Sequence, residues 1–175
     1  MATILIVYST TDGHAREICN RLRKVIELQE HQVTLVPVAE AADADLEPCD
    51  KIVVGASIRY GRHSPRVVDF IERNAQRLNR KASAFFSVSA IARKPEKNQP
   101  HTNPYVRKLL GRIAWRPAEV AVFAGRIDYP SYSFPERIVI RGIMWLTGGP
   151  TDPKSVVEFT DWRQVEAFGN RIARM

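Results

Sequence analysis

Cysteine is scarce in this chain of 175 residues, with Cys19 and Cys49 the only two. They match no metal-ligand spacing and are too few for a disulfide framework, so both read as structural thiols in a reducing compartment. Long apolar runs are missing as well. The longest stretch, around Ile138 to Leu146, is broken by Arg141 and falls well short of the roughly 20 residues that a membrane-spanning helix needs. Met1 leads directly into the apolar run Ile4, Leu5, Ile6 and Val7 without a basic n-region, so no secretory leader is expected and a cytoplasmic location is. No internal repeat, low-complexity tract, Walker lysine motif or three-glycine dinucleotide fingerprint occurs, which argues against ATP or NAD as the natural ligand.

What the chain does have is enough apolar residue, 45%, to bury one substantial core, and its length favours a single domain over residues 1–175. The net charge of +7 is concentrated: Arg93 to Arg116 holds seven basic residues against one acid, Glu96. Nucleic acid, an acidic substrate, an anionic membrane surface and a merely solvated face all fit such a patch. The patch carries no recognised nucleic-acid-binding motif, so no nucleic-acid partner is expected.

Short β-branched runs alternate with helix-period runs. Thr3–Tyr8, Val33–Val38, Ile52–Ala56, Ser83–Val88 and Val120–Ala124 read as five buried strands. Helices are expected from His14 to Leu28, from Ser64-Pro65 onward with Val67, Val68, Ile71 and Leu78 inward, and after Asp161 with Trp162, Val165, Phe168 and Ile172 inward. This alternation implies an α/β, doubly wound, five-stranded parallel sheet covered on both faces. Two segments exceed a minimal version, residues 91–117 and 126–150, as helical insertions after strands four and five. The first contains a basic amphipathic helix after Asn103-Pro104 with Tyr105, Val106, Leu109, Leu110 and Ile113 on one side. In the second, Ser133 and Glu136 frame an unusually apolar helix that stops at Gly148-Gly149-Pro150. Its apolar surface suits membrane docking, a buried packing role or an oligomer contact.

Ligands of open parallel sheets collect beyond the carboxyl ends of the strands. After strand one, Ser9, Thr10, Thr11, Asp12, Gly13 and His14 bring three hydroxyls and free amides to a positive helix end, which is either a phosphate cradle or an ordinary hydroxyl-rich helix start. Response regulators share the expected strand order, but they need acids after strand one and an aspartate after strand three, where Tyr8-Ser9 and Ser57 stand here. After strand three, Ser57, Ile58, Arg59, Tyr60 and Gly61 offer an aromatic to lie against a planar ring. After strand four, Ser87, Val88, Ser89 and Ala90 offer backbone groups to that ring's polar edge. A phosphate at one end and a ring gripped by two loops is the flavodoxin-like way of holding FMN, with strand order 2-1-3-4-5.

The segments Val54 to Gly61, Ala92 to Lys97, Trp115-Arg116-Pro117 and Thr160-Asp161-Trp162 carry a closer resemblance. Over nearly its whole length the chain resembles the bacterial flavodoxin-like, quinone-dependent protoporphyrinogen IX dehydrogenases of haem biosynthesis. The resemblance implies an FMN oxidoreductase that converts protoporphyrinogen IX to protoporphyrin IX in three two-electron steps. A membrane quinone such as menaquinone or ubiquinone would accept the electrons, at a peripheral position on the inner face of the membrane. Alternatives are a flavodoxin-like NAD(P)H:quinone reductase and an electron-carrier flavodoxin, although carriers are typically acidic where this chain is basic. One departure is Ala15, where such proteins commonly place another hydroxyl. Asp12 is expected to cap backbone amides away from the phosphate. In this reading Arg93, Lys94, Lys97 and Tyr105 face the substrate, with the helix face of Tyr105, Leu109 and Ile113 behind them. No acid or base stands out. His63 is the best-placed candidate, although a histidine just before a helix is more often a surface residue.

Overall fold

In the computed structural model, which describes residues 1–175, five parallel strands form the central sheet. They are β1 (Thr3–Ser9), β2 (Gln32–Pro37), β3 (Lys51–Arg59), β5 (Ala82–Ser89) and β6 (Glu119–Ala124). Their spatial order is β2-β1-β3-β5-β6, the expected 2-1-3-4-5 arrangement. The sheet is buried on both sides, which explains the near-continuous apolar runs. Along β1, Leu5 and Val7 join one core cluster while Ile4, Ile6 and Tyr8 join the other. Helices α1 (His14–Glu27) and α5 (Trp162–Arg174) cover the second face; α2 (Pro65–Arg80) and α3 (Pro104–Arg112) cover the first.

Strand β3 outruns the expected Ile52–Ala56 and doubles back as the short antiparallel strand β4 (Arg62–His63), with Arg59 opposite Arg62. The segment read as a loop is therefore a two-residue hairpin. Its turn residues Tyr60 and Gly61 both have positive φ, 51° and 76°, the geometry of a type I′ turn, whose backbone twist matches the flanking strands. Glycine adopts this freely, whereas a tyrosine in the left-handed region is uncommon and carries strain of the kind found at binding sites.

Helix α3 is capped as expected, the Asn103 side chain accepting from the Tyr105 and Val106 amides. Its inward face differs from the expected substrate wall. Leu109 and Ile113 are buried with Val106 and Trp115 in the core beside α2, because the insertion folds back over the sheet and brings Trp115 Nε1 within 2.9 Å of Ser83 Oγ. Only Tyr105, half-buried, reaches the ligand side. After β6, β7 (Arg126–Asp128) pairs antiparallel with β8 (Val156–Glu158), so the partner strand of this insertion lies beyond residue 150. Between them runs α4 (Phe134–Thr147), whose Glu136 carboxylate accepts from the Ser133 amide and hydroxyl at 3.1 and 2.9 Å. Ile140 and Met144 point inward against Ile127, Tyr129 and Tyr132. Trp162, expected inside, is half-buried.

Candidate functional site

The carboxyl ends of β1, β3, β5 and β6 open onto two adjoining cavities. One is polar, lined by Ser9, Thr10, Thr11, Ser57 and the β3–β4 hairpin. Its neighbour is an open cleft walled by Ile58, Val88, Ala90, Ile91, Ile127, Ile140 and Met144, a mostly apolar lining of the kind small-molecule sites have. Thr11, Ser57, Arg59 and Tyr60 border both. An elongated ligand with a polar tail and a flat apolar body matches this pairing of walls.

The β1–α1 loop is braced from within. Thr10 Oγ1 accepts from the Gly13 amide at 2.9 Å, and Asp12 Oδ1 receives the His14 amide at 3.4 Å, so Asp12 caps a backbone amide as expected. Its other oxygen lies 3.9 Å from Arg59. Gly13 sits at the helix N-cap with φ 88°, which leaves the first-turn amides of α1 facing out of the sheet edge. Arg59 also lies 3.9 Å from Glu136, and its guanidinium carbon is 5.8 Å from the centroid of the Tyr60 ring and 5.3 Å from that of Tyr132. One arginine thus links the first loop, the hairpin and the second insertion.

Five buried side-chain atoms have no hydrogen-bond partner: Ser9 Oγ, His14 Nδ1, Arg59 Nη1, Ser89 Oγ and Arg126 Nε. Every one belongs to a residue lining these two cavities. Buried polar groups are almost always satisfied in folded proteins, so their confinement to one place marks a site completed by a polar ligand. Hydroxyls and amides at one end and an apolar slot with polar edges at the other fit FMN.

The sequence-derived site residues are only partly gathered here. Ser9, Thr10, Thr11, Asp12, His14, Ser57, Ile58, Arg59, Tyr60, Gly61, Val88, Ser89 and Ala90 line a cavity, as do Arg93 and Tyr105. Gly13 shapes the loop without lining either. Ser87 is buried beneath the surface and bonded to His63. Lys94, at the step between the short 3-10 turns 90–93 and 95–97, and Lys97, at the end of the second, line neither cavity. Arg93 is occupied: its guanidinium donates to Ala90 O, Thr147 O and Thr147 Oγ1 at 2.8, 3.0 and 3.1 Å. His63 is buried at 8% exposure, contrary to a surface position, and burial pushes its imidazole down to about 4. It is neutral near pH 7. His14 is likewise buried, with Nε2 2.6 Å from Thr160 Oγ1 and its basicity lowered by burial and by Arg126. Cleft residues that sequence reasoning missed include Arg126, Ile127, Tyr132, Ile140, Met144 and Thr147; the apolar run of α4 signalled a helix but not which of its faces would turn inward. No group of three or more His, Cys, Asp or Glu residues is placed to hold a metal ion.

A flavodoxin domain model matches residues 5–154. A protoporphyrinogen IX dehydrogenase [quinone] of Escherichia coli K12 is 42% identical over 171 residues, covering 98% of this chain and 94% of that protein. The chain belongs to the family of flavodoxin-like protoporphyrinogen IX dehydrogenases. A Leishmania major protein of the same name is 38% identical over 172 residues, 98% of this chain and 74% of its own length. Among solved structures, a flavodoxin from Archaea superposes with TM-score 0.58 at 12% identity, covering 98% and 96% of the two chains. Oxidised flavodoxin 1 from Bacillus cereus gives 0.57 at 15%, covering 99% and 98%. These establish the flavodoxin-like fold. In this chain β7 and α4 supply one wall of the cleft, through Arg126, Ile127, Ile140, Ile143, Met144 and Thr147.

Proposed function

We propose that this protein binds FMN across the two cavities and oxidises protoporphyrinogen IX to protoporphyrin IX, with a membrane quinone as electron acceptor, in haem biosynthesis. The observation that carries the reading is that all five buried side-chain polar atoms without a hydrogen bond belong to residues lining the hydroxyl-lined cavity or the apolar cleft beside it. FMN supplies the two-electron chemistry. The protein's part is binding and orientation. Thr11, Ser9 and the amides after Gly13 would hold the phosphate and ribityl chain; Tyr60 and the 88–90 segment would hold the ring. Ile127, Ile140 and Met144 exclude water from the apolar side. Burial depresses both histidines near the site, His14 and His63, so neither is favoured as a charged group there.

Peripheral membrane contact belongs to the same proposal. No helix is long and apolar enough to cross a membrane, yet α4 exposes Phe134, Ile138, Val139, Trp145 and Leu146. Arg93 binds the last turn of that helix, and the cations Lys94 and Lys97 follow it in the chain. An apolar face beside cations is the combination that adsorbs to anionic lipid.

The test is anaerobic reduction of menaquinone and ubiquinone analogues by purified protein with added FMN, driven by protoporphyrinogen IX and, in parallel, by NADH and NADPH. Turnover with the porphyrinogen alone supports the proposal. Turnover only with the nicotinamides replaces it with a quinone reductase.

A further inference from the structure

We propose that Arg126, held in place by Glu17, receives a carboxylate of the substrate inside the apolar cleft. The inference rests on the porphyrinogen reading above and adds the group that recognises the acid end of the substrate. Three arginines line the cleft against a single acid, Asp12. Arg93 is consumed by the Ala90 and Thr147 oxygens. Arg59 stands between Asp12 and Glu136 and borders the polar cavity too. Arg126 borders the apolar cleft alone, next to Ile127 at the start of β7.

Its bonding is one-sided. Nη1 donates to Glu17 at 3.2 and 3.4 Å, while Nε is buried with no partner. A guanidinium offers five donors in a rigid fork suited to a carboxylate, and leaving a charged donor buried and unmet is costly. Glu17 therefore fixes the side chain through Nη1, and the guanidinium's remaining nitrogen, Nη2, makes no hydrogen bond and is left for a second anion. Glu17 is itself half-exposed, at 49%, so solvent screens it from an incoming carboxylate. The substrate class that fits has a large apolar body, to lie on Ile127, Ile140 and Met144, and a short carboxylate arm. Porphyrinogens with propionate arms have that chemistry.

The experiment compares FMN-loaded wild type with Arg126→Gln and Glu17→Gln. It measures binding of protoporphyrin IX and its dimethyl ester by fluorescence titration, turnover of the corresponding porphyrinogens, and FMN affinity. Wild type should prefer the free acid, and Arg126→Gln should weaken acid binding about tenfold while shifting the ester less than about twofold. Glu17→Gln should weaken the acid by a smaller factor, about threefold, as expected for a positioning residue. Equal losses for acid and ester, or loss of FMN affinity in Arg126→Gln, would overturn the assignment. If wild type binds the acid in preference to the ester but turns neither over, the carboxylate site stands and the proposed reaction falls.

Discussion

His63 Nε2 lies 2.9 Å from Ser87 Oγ, a buried contact that ties the β3–β4 hairpin to β5 directly below the ligand cavities. The ring also packs edge-on against Phe85, 5.7 Å between centroids. Its folded pKa of about 4 lies below the ordinary 6.5, so the unfolded chain takes up the proton first as pH falls. The associated stability is fully present above pH 6.5 and is lost between there and about pH 4, a total of about 3 kcal/mol. Urea unfolding at about pH 7 and about pH 4.5 should show most of that loss in wild type, and His63→Gln should remove this part of the pH dependence. A variant that retains the full slope would assign it to other groups.

The two threonines of the first loop should separate by role. Thr11 borders both cavities, whereas Thr10 Oγ1 is spent on the Gly13 amide. Thr11→Val is expected to weaken FMN binding by a lost hydrogen bond, about 0.5–1.5 kcal/mol, with unchanged thermal stability. Gly13→Val strains a position at φ 88° and should lower both flavin affinity and Tm. Fluorescence titration and melting curves check both, and an unaltered Kd in Thr11→Val would remove that hydroxyl from the flavin site.

The sheet was legible because the inner strands β1, β3 and β5 are buried on both faces, leaving runs such as Ile4 to Val7 and Ile52 to Val54 without polar interruption, while the edge strand β2 shows the alternation of a half-exposed strand. Helix boundaries were legible where their signals are local, as at Asn103 and Asp161, whose side chains accept the amides that their positions announce. The β3–β4 hairpin was not, since Tyr60-Gly61 lacks the Asn-Gly or Asp-Gly chemistry that usually marks such turns. The loops holding Ser9, Ser57 and Ser89 could be placed by topology alone. Side-chain direction could not: Arg93, Lys94 and Lys97 are near neighbours in sequence, yet one is bonded at the cleft and two lie outside it. Arg126 stayed hidden because its place depends on β7 pairing with the distant strand β8.

Arg93 should behave differently from its basic neighbours. Of its three hydrogen bonds, one closes the Ala90–Arg93 turn on Ala90 O and two tie that turn to Thr147 at the end of α4, and its guanidinium lies 5.9 Å from the centroid of the Phe159 ring. Arg93→Ala is expected to destabilise the protein by about 1–3 kcal/mol, because the Thr147 carbonyl loses a charged donor. Lys94→Ala and Lys97→Ala should stay within about 0.5 kcal/mol of wild type and leave porphyrinogen KM unchanged. Denaturant midpoints and steady-state kinetics on the three single variants decide this. A KM raised several-fold by either lysine change would return those residues to the substrate site.

The outer face of α4 carries the last prediction. Phe134, Trp145 and Leu146 are each about three-quarters exposed, at 74%, 75% and 76%. Helix α4 buries only Ile140 and Met144 to hold itself in place. Apolar side chains left in water this way cost the folded protein nothing to replace but strengthen lipid adsorption when they insert, at about 25 cal/mol per Å² removed from water. Replacing Trp145 and Leu146 together with glutamine should therefore leave Tm within about 2 °C of wild type, since the lost contacts are few. The same change should cut the fraction that floats with anionic vesicles several-fold. Lys94→Glu with Lys97→Glu acts on the other component, so it should reduce flotation at low salt and matter little once added salt shortens the screening length to a few ångströms. Flotation on anionic and neutral vesicles at two salt concentrations separates the terms. Equal recovery of wild type and the double glutamine variant on anionic vesicles would show that the exposed face of α4 does not meet lipid.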